Sequence, residues 1–335
     1  MREVRADHAA FSIEELERLA EPLVLRGFVG GWPAVRAAKR SNDDLLAYLS
    51  GFDAGAVVPV SAGPPSLDGR IFYNDRFDGM NCERGNARFG EVLARVRRCG
   101  GETPTPLIYL ASADVDACMP GFRGENDVDF VGRAPVVSVW IGTKTRVAAH
   151  NDLPLNVACN VAGKRRFTLF PPDQVDNLYV GPFELTPAGR PVSLVDVAAP
   201  DLERFPRFAD AMDAAGVAEL EAGDALFIPS MWWHGVEASG PEAAGGFNVL
   251  VNYWWRTVPS YFGAPQDALS HAMLAVRDLP PAQKAAWRAM FDHYVFDFDP
   301  EDHRHVPETA RGMLSPMTQD NARRIRATLL NRLNR

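Results

Sequence analysis

The sequence predicts a mainly β protein, a jelly-roll sandwich or barrel with helices before and after it. Three observations carry this. The middle of the chain breaks into short apolar segments, 136–141, 155–161, 166–170, 225–228 and 247–254. Turn residues separate them: Gly142, Ala162-Gly163, Pro171-Pro172, Gly223-Asp224 and Gly245-Gly246. Both ends carry the helical period instead. Many short strands punctuated in this way form sandwiches or barrels, and 335 residues can bury a large core.

From the N-terminus, residues 11–20 read as a helix. Ser12 and Glu15 have capping-box spacing, and Phe11, Leu16 and Leu19 supply apolar positions. Residues 22–29 read as a buried strand closed by Gly30-Gly31-Trp32-Pro33. Ser41 opens a second helix through Leu49. Between 57 and 110 the pattern is mixed, with strand at 71–73, helix at 89–96 and strand at 106–110. After the β-rich middle, 267–276, 282–294 and 318–333 are helical, and Pro280-Pro281 marks a helix start. In the last, Ala322, Ile325, Leu329 and Leu333 share one face, with Arg323, Arg324, Arg326 and Arg332 elsewhere. No repeat, low-complexity stretch or obvious linker interrupts the chain. The expected organisation is a β domain over 1–265, with its N-terminal elaboration, and a helical region over 266–335.

Composition narrows the function. The chain is 47% hydrophobic and 23% charged, with a net charge of −8. An acidic balance argues against a long nucleic-acid surface, which needs clustered Lys and Arg. No apolar run approaches the ~20 residues that span a bilayer, and the start, MREVRADHAAF, lacks a signal-peptide pattern. Cys82, Cys99, Cys118 and Cys159 are scattered without a CxxC pair, as expected of reduced thiols in a cytoplasmic protein.

The chemistry gathers at 149–153, Ala-His-Asn-Asp-Leu. On an extended segment His150 and Asp152 point to one face, so one strand end can give two ligands to one metal. Asn151 between them faces away and has no assigned role. A third ligand must come from elsewhere, and His234, which follows a strand and a proline turn, is the candidate. Two imidazoles and one carboxylate leave three positions of an octahedral iron open, two for a chelating oxo-acid and one for O2. Structural zinc would need a fourth protein ligand, and none is evident. An HxD triplet alone arises by chance in many long chains; its context and His234 raise it above that. Of the seven histidines, His8, His271 and His293 read as surface or helix residues, and His303 and His305 as a solvated charged loop.

That context resembles the JmjC/cupin-8 group of 2-oxoglutarate oxygenases, in particular its asparaginyl hydroxylase branch. The matching stretches are Ile108-Tyr109-Leu110, Ala149 to Asp152 with Asn156, GKRRFTLFPPDQ from Gly163, Glu203 to Phe208 (ERFPRF), GDALFIPSMWWH ending at His234, and Val251 to Trp254 (VNYW). They run in the family's order, and LRGFVGGWP near the N-terminus also fits. The resemblance implies a double-stranded β-helix core and Fe(II) held by His150, Asp152 and His234 as catalytic metal ligands. It implies that Tyr109 and Arg165 meet the distal carboxylate of 2-oxoglutarate, with Asn156 and Asn252 lining the co-substrate pocket. Arg165 stands where the asparaginyl hydroxylase has lysine, and its planar fork suits a carboxylate. Arg165, Phe167 and Leu169 share one strand face; Lys164 and Arg166 lie on the other, solvated one. The family often places threonine three residues before the first histidine; here it is Val147, with Thr145 just upstream. Trp232, Trp233, Trp254 and Trp255 read mainly as core, with Trp254 favoured as a wall of the substrate pocket.

The function this implies is hydroxylation, with O2 and 2-oxoglutarate as co-substrates, of a protein or peptide side chain or a small molecule. Lysine demethylation is less favoured, because no chromatin-reader segment or basic tail accompanies the core. Two other readings stay open: a metal-binding cupin with a regulatory or binding role, and a metal-dependent isomerase or dioxygenase on the same barrel. The C-terminal helices resemble a dimerising pair, so a homodimer is expected; packing on the barrel is the alternative.

Overall fold

The computed structural model describes residues 1–6, 12–240 and 246–334; His8, Phe11 and Gly245 lie outside the described residues. The chain forms two compact units, Met1–Arg256 and Thr257–Arg335.

The strands of the first unit are β1 (Arg2–Arg5), β2 (Leu23–Arg26), β3 (Val57–Gly63), β4 (Arg70–Ile71), β5 (Glu83–Arg88), β6 (Leu107–Asp114) and β7 (Val136–Gly142). They continue as β8 (Thr145–Asn151), β9 (Leu155–Ala162), β10 (Lys164–Phe170), β11 (Gly216–Leu220), β12 (Ala225–Ile228), β13 (Trp233–Ser239) and β14 (Asn248–Trp255). Nine form a large sheet in the order β1-β2-β12-β9-β14-β7-β6-β3-β5, and five a small one, β11-β10-β13-β8-β4. From β7 to β10 successive strands alternate between the sheets, which gives the predicted jelly-roll core.

Strand alternation sorts the layers. All eight residues of β9 are buried. Its Val157, Cys159 and Val161, with Val249, Val251 and Tyr253 of β14, pack into one cluster with Leu16, Val35, Leu45, Leu49, Val92 and Val96. Those come from helices α1 (Ile13–Glu17), α2 (Pro33–Arg40), α3 (Asn42–Ser50) and α4 (Phe89–Cys99), which cover the outer face of the large sheet. The other face of the same strands, with Ala158 and Leu250, meets Phe167 and Leu169 of β10 between the sheets. The short helices α5 (Val115–Cys118) and α6 (Phe208–Asp213) complete this unit.

Several local expectations change. The first helix is only Ile13–Glu17, and its capping box does not form: Ser12 Oγ donates to Glu14 Oε2 instead. Glu17 ends it, accepting from Arg133 and from Trp255 Nε1. The Gly-Gly-Trp-Pro segment does close β2, but its proline is also the first residue of α2, the position where proline suits a helix. Ser41 caps α3 as expected, accepting from Asp44 N–H at 3.0 Å.

Gly163 turns β9 into β10 with φ +76°, and a Cβ there would collide with the Ser239 carbonyl oxygen and lie 2.9 Å from Asn248 Cβ. Gly163→Ala is expected to lower stability by about 1–3 kcal/mol. Urea unfolding checks this; an unchanged midpoint would contradict it.

The second unit holds α7 (Pro265–Ala275), α8 (Pro281–Phe291) and α9 (Gln319–Leu333). Pro281 opens α8 and Thr318 caps α9, accepting from Asn321 N–H. His303 is not solvated, contrary to the sequence reading: it is 3% exposed, its ring stacked between Tyr294 and Phe298. Its Nε2 has no hydrogen-bond partner among the described residues, so ring contacts hold it in place. His305 is exposed.

Candidate metal centre and its pocket

A bulge in β8 shapes the site. Val236 of β13 pairs with Val147 and His234 with His150, so Ala148 and Ala149 together stand opposite Gly235. One extra residue re-aims a strand. Thr145 and Val147 before the bulge, and His150 and Asp152 beyond it, all line one cavity of about 320 Å³ between the sheets.

Two loop contacts bring the third candidate ligand in. Met231 N–H donates to the Asp152 carbonyl at 2.8 Å, and Ser230 Oγ to the Leu153 carbonyl at 2.5 Å. They pin the turn before β13 to the end of β8. One donor atom from each of His150, Asp152 and His234 then lies within 4.8 Å of the others. His234 Nε2 is 3.7 Å from Asp152 Oδ2.

Both imidazoles are oriented by backbone. His150 Nδ1 lies 2.9 Å from the Ala148 carbonyl, and His234 Nδ1 3.0 Å from that of Trp232. A carbonyl only accepts, so each Nδ1 carries the proton and each Nε2 lone pair is free for a metal. Burial, helped by the neighbouring His150, draws the His234 pKa down to about 4. The ring is therefore neutral, the form a metal needs, throughout the physiological range. The donor set, two imidazoles and one carboxylate, fits a divalent transition metal with open positions.

The far end of the cavity holds a buried cation. Arg165 is 5% exposed. Its Nη2 donates to Asn248 Oδ1 at 2.5 Å, its Nε has no partner, and no carboxylate pairs with it among the described residues. Burial pulls its pKa down to about 10, so it stays charged at neutral pH. Such a charge is costly without an anion. Tyr109 is also buried at this end, and burial raises its phenol pKa, so it presents a neutral O–H. An acid with a carboxylate at its far end fits these groups.

The profile of the family described as a Cupin-like domain matches residues 8–261. The chain belongs to this family. Among curated relatives, it is 35% identical over 141 residues to the tRNA wybutosine-synthesizing protein 5 of Mus musculus, covering 42% of this chain and 38% of that protein. It is 30% identical over 172 residues to the HSPB1-associated protein 1 of Homo sapiens, 48% of this chain and 33% of that one. With the Lysine-specific demethylase 8 of Xenopus tropicalis it shares 29% identity over 239 residues, 70% and 48% of the two chains. In each case the match spans less than half of the relative's length.

Within this cupin-like domain the expected pocket residues come together. Asn252 Nδ2 donates to Asn156 Oδ1 at 3.2 Å. Trp254 lines the cavity, edge-on to Trp140. Trp232, Trp233 and Trp255 do not line it: Trp232 Nε1 donates to the Ala20 carbonyl, Trp233 is core, and Trp255 binds Glu17. Lys164 and Arg166 are exposed, paired with Glu221 and Glu219. Asn151 is turned from the cavity and its carbonyl accepts from Arg190. The sequence reading missed Trp140, which donates to Asn252 Oδ1 at 2.7 Å. It also missed Asn248, which steadies Arg165 while donating to the Gly142 and Thr143 carbonyls. A signal existed for Asn248: it shares a face with Asn252 on an otherwise apolar strand, where a buried amide needs a purpose.

Proposed function

We propose that this chain is an Fe(II)- and 2-oxoglutarate-dependent oxygenase that hydroxylates a protein or peptide side chain or a small molecule. The observation that carries the reading is Arg165, a buried guanidinium without an acidic partner, at the far end of the cavity that opens on His150, Asp152 and His234. Those three would hold the iron. When bound, iron and 2-oxoglutarate together supply the chemistry that inserts one oxygen of O2 into a C–H bond and yields succinate and CO2.

The chain's own work is placement. Arg165 and Tyr109 fix the distal carboxylate, and Asn156 and Asn252 line the path between it and the metal ligands. Trp140, Leu250 and Phe167 exclude water from that path. Trp254 is the wall proposed to meet the substrate. The net charge of −8 favours a protein or small-molecule substrate over a nucleic acid.

The test is anaerobic binding of Fe(II) and 2-oxoglutarate, then succinate release in air with and without candidate substrates. Binding of both with succinate release is expected. Binding without succinate under any condition would favour the alternative, a cupin that holds metal in a regulatory role.

A homodimer through the C-terminal helices is part of the same reading. What supports it is exposed apolar surface: Leu274, Trp287, Phe296 and Leu330 are each 47% or more exposed. Isolated residues of this size are ordinary, but this many in one small unit suggests a covered face. Sedimentation is expected to give a dimer; monomer alone at micromolar concentration would refute it.

A further inference from the structure

Where the family resemblance expects a threonine hydroxyl, this chain has Val147. We propose that Thr145, two residues upstream, supplies that hydroxyl, so that a dicarboxylate's distal carboxylate is held by Arg165, Tyr109 and Thr145 together. The inference rests on the co-substrate reading above.

Register carries the argument. On the small sheet Arg165 pairs with Ala238, and Ala238 with Thr145, so the three form one row across β10, β13 and β8. Directly paired residues share a face, and the middle one is only a methyl. Arg165 and Thr145 therefore flank a residue that carries no side chain beyond its Cβ, and both line the cavity. The next row is Phe167, Val236 and Val147, apolar throughout. The chain's valine thus sits in a row that presents nothing to an anion, while its threonine sits in the row that carries the cation.

The large sheet faces this with a matching row. Tyr109 pairs with Gly142, and Gly142 with Asn248. Again the middle residue is minimal. A Cβ on Gly142 would lie 3.1 Å from Thr145 Cγ2 and 3.2 Å from Tyr109 Cδ2. The missing side chain lets Thr145 and Tyr109 approach one spot. Asn248, at the other end, holds Arg165 Nη2 at 2.5 Å. Arg165, Tyr109 and Thr145 all line the same cavity, so the two rows bring one guanidinium and two hydroxyl-bearing side chains to it.

Thr145 is 3% exposed and lines the cavity, and no hydrogen bond engages its hydroxyl among the described residues. Packing alone would be served equally by valine, which has the same shape without the hydroxyl. The nearby Thr143 is already committed, accepting from Ile108 N–H and donating to the Pro106 carbonyl. Ser138 is engaged with Ser112.

The test compares two probes by anaerobic binding to the Fe(II)-loaded protein. One is 2-oxoglutarate; the other is 2-oxobutyrate, which keeps the chelating end and lacks the distal carboxylate. Thr145→Val is expected to weaken 2-oxoglutarate about 10-fold or more, the effect of one hydrogen bond to a charged group, and to leave 2-oxobutyrate unchanged. Thr145→Val/Val147→Thr, which moves the hydroxyl one row along the strand, is expected to recover part of the loss. If Thr145→Val binds 2-oxoglutarate like the wild type while Arg165→Met does not, Thr145 has no such role and the co-substrate reading stands. Equal weakening of both probes would make Thr145 structural and overturn the proposal. A wild type that binds no 2-oxoglutarate would overturn both readings together.

Discussion

His150→Ala is expected to bring succinate release to background, a loss greater than about 100-fold, and to remove tight Fe(II) binding. Disturbing even a group that merely orients a metal ligand costs about 10- to 100-fold, and here a ligand itself is lost. The remaining pair, Asp152 and His234, is too few to hold the ion against water. The fold should survive, because His150 is half-buried at the cavity wall and the β8–β13 ladder is made by backbone. Fe(II) titration and succinate release are the measurements, with circular dichroism as the folding control. Full 2-oxoglutarate turnover in the variant, with no added substrate, would remove His150 from the ligand set. His234→Ala should behave alike. Because the His234 pKa is near 4, protons compete with metal at that ring only in acid, and metal uptake should not weaken on that account between neutral pH and mildly acidic conditions.

Arg165→Met should do two opposite things. Affinity for 2-oxoglutarate is expected to fall about 100-fold or more, since each hydrogen bond to a charged group is worth about 1.5–3 kcal/mol and a guanidinium can make two. The protein without co-substrate should be no less stable, and is expected to melt higher. Its folded state carries a desolvated cation with no acidic partner, and replacing buried charge with a well-packed apolar side chain is often stabilising. The sign follows from the pKa. Burial lowers it to about 10, so at neutral pH the charged form opposes folding, and that opposition lifts only as pH rises through 10. The charged form is also the one that binds a carboxylate. Affinity should therefore stay level across neutral pH and decline as pH nears 10. In the wild type, 2-oxoglutarate at 100 times its Kd should add about 2.7 kcal/mol of stability. Thermal unfolding with and without it would show that increment vanish in Arg165→Met. Wild-type affinity in the variant would sink the assignment.

The central strands were legible in the sequence because β7, β9, β12 and β14 are apolar runs, as strands buried on both faces must be. Strand β5, Glu-Arg-Gly-Asn-Ala-Arg, was not, because an edge strand has no such pattern to offer. Strand β3 carries Pro59 and Ser61 and lies beside it. Strand β13 reads only as a turn leading to His234, since the Trp-His-Gly that opens it has no strand alternation. In the site, His150, Asp152 and His234 could be found because metal donors come from few residue types. Ala238, Gly142 and Trp140 could not. They matter through register with strands distant in sequence, and alanine or glycine has no chemistry to announce it. His303 misled for a related reason: its charged neighbours suggest solvent, whereas its partners Tyr294 and Phe298 are brought to it by the fold.

Because β8 takes its extra residue between Val147 and His150, the strand is divided into two lengths that need not move together. A small shift at the Thr145 end can be taken up at Ala148 and Ala149, where one residue of slack stands against Gly235, before it reaches the imidazole. If the chain works as proposed, preference among dicarboxylates of different length and retention of the metal are expected to be separable. On the proposed function, substitution around Thr145 and Ala238 is expected to retune the anion end while metal affinity stays where it was.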